Sequence, residues 1–94
     1  MSYTVRIDTE AHDFYLSLDA KSRRVLRAHL EILKTDPHPG KTRDKELLNL
    51  RDGVRIYRMH VSHSFTVYYE IEGDCVYVNE ILTIEQAHKK YRRL

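Results

Sequence analysis

The 94-residue chain is 41% hydrophobic and 32% charged, a balance that excludes wholesale disorder and fits one globular domain. A net charge of +2 is too small to argue for any partner, and Cys75, the single cysteine, excludes an internal disulfide. No apolar run approaches the roughly 20 residues that span a bilayer, and the N-terminus lacks a signal-peptide core, so a cytoplasmic protein is expected.

Residues 3–8 read as a first strand. Ala11, Phe14, Tyr15 and Leu18 then recur at the spacing of an amphipathic helix, with Asp8 or Thr9 as its N-cap. Asp19 can cap a second helix whose Val25, Leu26, His29, Leu30 and Leu33 make an apolar stripe. Asp36-Pro37 should end it, because the residue before proline avoids helical dihedrals. Two helices so closely joined are expected to form an antiparallel hairpin, with His29 a satisfied core residue.

Residues 37–53 are punctuated by Pro37, Pro39, Gly40 and Gly53, and Lys45 to Leu50 reads either as a helical turn or as a short edge strand. From Arg55 to Ile71 the pattern is period-two on both sides of a short polar break, the signature of a β-hairpin. Tyr57, Met59 and Val61 share one parity and Phe65, Val67, Tyr69 and Ile71 continue it; Arg58, His60 and Ser62 fall on the other. Gly73-Asp74 turns the chain into a further strand, Cys75 to Leu82, whose apolar density predicts a central position. Thr83 and Gln86 have capping-box spacing and open a terminal helix with Ile84, Ala87 and Tyr91 on one face. The order β-α-α-β-β-β-α predicts a small α+β domain: a mostly antiparallel sheet of about four strands, the helical hairpin packed on one face, and a C-terminal helix.

Charge is unevenly spread. Residues 41–58 carry Lys41, Arg43, Lys45, Arg51, Arg55 and Arg58, and the last six residues carry Lys89, Lys90, Arg92 and Arg93. Convergence of the two clusters would make a polyanion site; the alternative is a solvated loop and a helix end whose cations complement the dipole. His60-x-x-His63 with Cys75 does not give zinc-site spacing, so no metal and no cofactor are expected.

The element order, Asp36-Pro37, Tyr57-Arg58 opening a strand, Val67-Tyr68-Tyr69-Glu70-Ile71 and the terminal Tyr91 resemble the RelE/ParE superfamily over roughly residues 3–91. These are toxins of type II toxin–antitoxin systems. The resemblance implies a cytoplasmic protein neutralised by a cognate antitoxin, with operator DNA bound through that antitoxin. It also implies one of two activities: RelE-like cleavage of messenger RNA on the ribosome, without a metal, or ParE-like inhibition of DNA gyrase. Arg58 occupies the family's basic position after the strand-opening tyrosine, and His60 the next position on that face. Thr66 and Glu85 stand where arginine or another basic residue is customary, and His63-Ser64 replaces the usual Gly-Asp turn. These departures favour a non-catalytic alternative, a gyrase inhibitor or a fold that only binds its antitoxin.

Cleavage by an RNA's own 2′-OH needs a base, an acid for the leaving 5′-oxygen, and cations for the phosphorane. On this chain Arg58 is the expected phosphate clamp and His60 the expected base. His63 or His88, with Tyr91 nearby, would supply the acid or stack on a base. Lys45, Arg55, Lys89 and Arg92 would hold the RNA backbone. For Arg58 the non-functional expectation is a surface ion pair with Glu70 or Glu80.

Overall fold

The computed structural model describes residues 2–40, 44–49 and 53–91, without the side chain of Tyr91. The described elements are β1 (Thr4–Ile7), α1 (Thr9–Leu16), α2 (Ala20–Ile32), β2 (Lys45–Asn49), β3 (Arg55–Val61), β4 (Phe65–Glu72), β5 (Cys75–Thr83) and α3 (Ile84–Tyr91). Local chemistry sets their ends. Asp8 and Asp19 accept from the backbone N–H groups of Glu10 and Ser22 and so satisfy donors that a helix start leaves open. Thr83 and Gln86 cap α3 reciprocally, at 3.0 and 3.1 Å.

The strands form one sheet in the order β1-β5-β4-β3-β2, antiparallel except where β1 runs parallel to β5. The ambiguous segment at 45–49 is an edge strand, so the sheet has five strands rather than about four. Of the two most apolar strands, β4 holds the middle of the order; β5 is interior, between β1 and β4.

One parity of the hairpin faces the main core. Tyr57, Met59, Val61, Phe65, Val67 and Tyr69 pack with Val76, Val78 and Ile81 and with Ala11, Leu26, Leu30 and Leu33 of the helical hairpin. Tyr57 and Tyr69 stack there with ring centroids 5.4 Å apart. The Tyr69 hydroxyl donates to the Pro37 carbonyl at 2.6 Å, which fastens the segment after α2 to the sheet centre. Burial, first of all, raises that phenol well above its usual range and keeps it a neutral donor.

The opposite parity is not simply solvated. Thr66 and Tyr68 are 1% and 2% exposed, and α3 packs against β4 and β5. Register places Tyr68 opposite Glu80, and Lys90 of α3 pairs with Glu80. The C-terminal helix therefore reaches the face that carries Arg58.

Candidate active site

The antiparallel register aligns charged side chains from four elements across this second face. Glu46 of β2 stands opposite Arg58 of β3, Arg58 opposite Tyr68 of β4, and Tyr68 opposite Glu80 of β5, where Lys90 ends the row. Side chains directly opposite in antiparallel strands share a face and touch. The Arg58 Nε donates to Glu46 Oε1 at 2.7 Å, and Nη2 closes on the same oxygen. His60 Nε2 lies 3.5 Å from that oxygen. The Arg58 guanidinium is thus hydrogen-bonded to one carboxylate oxygen with the His60 imidazole close by, and about a quarter of the Arg58 side chain and nearly half of Glu46 and His60 are exposed.

The electrostatics of the row are coupled. Burial works against the charge on Arg58, but the hydrogen bond and the charge of Glu46 outweigh it, with Tyr68 adding to them, and the guanidinium pKa is raised. Burial likewise raises the Tyr68 phenol; Arg58 pulls it down, while Glu80 and Glu46 push it up. Arg58 is a permanent cation and Tyr68 a neutral hydroxyl beside it.

The partner expected for Arg58 was Glu70 or Glu80. Asn79 donates instead to Glu70 at 2.8 Å, and Lys90 occupies Glu80. Glu46 was not anticipated, because its place opposite Arg58 depends on a β2–β3 register that no local pattern encodes. An acid alternating with Leu47 on an edge strand is the signal the sequence offers.

Two expected RNA contacts fall elsewhere. Lys45 pairs with Met59, on the core parity, and its side chain is 2% exposed between Asp44 at 3.4 Å and Asp36 at 3.9 Å. It is a buried structural cation on the far side of the sheet from Arg58. Arg55 is exposed at the start of β3, but three residues from Arg58 it takes the opposite parity. His88 and Lys89 are exposed on α3. Arg92, the side chain of Tyr91 and much of the basic loop cluster (Lys41, Arg43, Arg51) lie outside the described residues.

At the end of the hairpin, Ser62 and His63 form a two-residue turn closed by Ser64 N–H to Val61 C=O at 3.0 Å. Both central residues have positive φ, 53° and 56°, as a type I′ turn requires. Neither is glycine or asparagine, so the turn carries strain of about 1–2 kcal/mol per residue. Beside it runs an open groove lined by His29, Asp44, His60, Ser62 and His63. Residues of α2, β3 and the turn thus contribute to its lining. Among the described residues no group of His, Cys, Asp or Glu is arranged to hold a metal ion, and no helix is long and apolar enough to cross a membrane.

No family model matches the sequence, and no curated protein is similar to it in sequence. Solved structures do match. The chain is similar to one in the archaeal RelE–RelB complex from Pyrococcus horikoshii, with TM-score 0.74 and 20% identity over 88% of this chain and 96% of that one. It is also similar to a chain of the toxin–antitoxin complex RelBE2 from Mycobacterium tuberculosis, with TM-score 0.68 and 19% identity over 88% and 99%. The fold is that of RelE. A free-state mutant of the E. coli toxin RelE matches over the full length of both chains, with TM-score 0.62 and 19% identity.

Within this RelE-like fold the departures noted in the sequence acquire positions. Thr66 is buried opposite His60 and Leu82, where a long cation would be forced toward solvent. Glu85 is exposed in the first turn of α3. The face that lacks those two basic groups instead holds Glu46 against Arg58 and His60.

Proposed function

We propose that this chain is the toxin of a type II toxin–antitoxin pair and acts as a ribosome-dependent mRNA endoribonuclease that arrests translation. The observation that carries this reading is the meeting of Glu46, Arg58 and His60 at one carboxylate oxygen. Glu46 or His60 takes the 2′-OH proton, and the fixed Arg58 charge stabilises the phosphorane. Pairing with Glu46 orients the guanidinium before substrate arrives, which lowers the cost of placing it. Lys89 and Arg92, with His63, His88 and Tyr91, are proposed to flank the RNA from α3 and the turn. RelE forms complexes with RelB in two of the similar structures; by analogy the proposed partner is a protein antitoxin, through which operator DNA would be bound, in the cytoplasm.

A second reading has its own support. Arg58 is already held by Glu46 and Tyr68, and Thr66 replaces a customary cation. A non-catalytic gyrase inhibitor, or a fold that only binds its antitoxin, would tolerate both. Primer extension on mRNA from translating cells separates the readings. Wild type should leave discrete stops within codons, reduced about 100-fold or more in Glu46→Gln, Arg58→Ala and His60→Ala. Absence of stops with wild type, together with gyrase inhibition, would overturn the nuclease reading.

A further inference from the structure

We propose that Tyr68 is a positioning residue for cleavage, its hydroxyl keeping the Arg58 guanidinium in place as the Glu46–His60 side of the site takes up the 2′-OH proton. This rests on the ribonuclease reading above and adds to it a residue that acts through Arg58. The register sets Arg58 between Glu46 on β2 and Tyr68 on β4. Its guanidinium is hydrogen-bonded on both sides, through Nε and Nη2 to Glu46 Oε1 and also to the Tyr68 hydroxyl.

The two holds differ in kind. Glu46 lies on an edge strand with nearly half its side chain exposed, and its grip on Arg58 is charge-assisted. Tyr68 is 2% exposed on β4, the middle strand of the sheet. A guanidinium only donates, so the phenol oxygen accepts from Arg58. Glu80 stands directly opposite Tyr68 on β5 and is itself paired with Lys90 of α3. Burial raises the phenol above its ordinary range, so Tyr68 is neutral before, during and after turnover.

That difference matters when the proton moves. If Glu46 is the base, taking the 2′-OH proton removes its charge, and a neutral hydrogen bond to Arg58 is about half as strong as a charge-assisted one. If His60 is the base, the imidazolium formed 3.5 Å from Oε1 competes with Arg58 for that oxygen. Either course loosens Arg58 on the β2 side as negative charge grows on the phosphorane. The Tyr68 hydroxyl changes charge in neither course. It keeps the guanidinium oriented from the β4 side at the moment when a fixed cation contributes most.

Nitrogen-15 NMR on the free protein reads this hold as the rate at which the two Nη groups of Arg58 exchange by rotation about Nε–Cζ. Glu46→Gln imitates the protonated carboxyl. Adding Tyr68→Phe to it should speed the rotation about 10-fold or more, because a hydrogen bond to a charged group is lost. An unchanged rate overturns the inference. Single-turnover cleavage of mRNA on ribosomes gives the second readout. Tyr68→Phe should lower the maximal rate about 10-fold with the half-saturating ribosome concentration unmoved, and should have no further effect in an Arg58→Ala chain. A shift in half-saturation alone, or the same fall in the Arg58→Ala background, marks a merely structural effect and overturns the role while the nuclease reading stands. An unaltered maximal rate does the same. No cleavage by wild type removes the nuclease reading itself, and this role with it, whatever the rotation rate.

Discussion

At the residue scale, single polar atoms tie distant parts of the chain together. The Tyr69 hydroxyl reaches 32 positions back to the Pro37 carbonyl from inside the core. Tyr69→Phe keeps the stack on Tyr57 but strands a buried carbonyl, which costs about 1–3 kcal/mol. In a domain of this size that lowers the thermal midpoint by roughly 4–8 °C for each kcal/mol. Scanning calorimetry should show the drop; an unchanged midpoint would mean the carbonyl finds water instead. Glu46 Oε1 is the comparable atom on the other face, and its hydrogen bond to Arg58 with His60 close by gives that face its chemistry.

At the scale of elements, the β3–β4 turn holds two side chains where the backbone favours none. Ser62 and His63 both sit in the left-handed region, which asparagine and glycine adopt at far lower cost. The double substitution Ser62→Asn, His63→Gly should raise stability by about 1–2 kcal/mol, read as a higher urea midpoint with an unchanged slope. A midpoint that falls would show that the present side chains stabilise the turn. Backbone strain of this kind recurs at functional sites of folded proteins. The edge strand β2 works in the other direction: its alternate residues carry Glu46 to the site and bury Lys45 away from it.

Across the whole molecule, the sheet buries phenols on both faces, Tyr69 in the main core and Tyr68 on the α3 side. Burial raises both above the value they have in the unfolded chain. Below about pH 10 both states keep these protons and the tyrosines add no pH dependence. Above it the unfolded chain loses them first, so stability falls as pH rises toward the folded values. Thermal midpoints measured from pH 8 to 11 should stay level and then decline, and Tyr68→Phe with Tyr69→Phe should flatten the decline. A decline that persists in the double variant would place its origin in other groups.

How much of this was legible beforehand follows from the range of each interaction. Caps at Asp19 and Thr83, the hairpin from Arg55 to Ile71 and the inward parity of Tyr57, Met59 and Val61 rest on neighbours a few residues apart, and the linear order states those neighbours directly. Arg58 and His60 are legible for the same reason, since alternation alone puts them on one face. Glu46 against Arg58 and Lys45 beneath the sheet opposite Met59 join residues 12 and 14 positions apart. Such pairs depend on the register of β2 across a loop and on where α2 crosses the sheet. Both are set by closing one shared core, so only the tertiary structure decides that the imidazole of His29, satisfied by the Val25 carbonyl as its stripe predicts, is half-buried at the edge of a groove rather than enclosed.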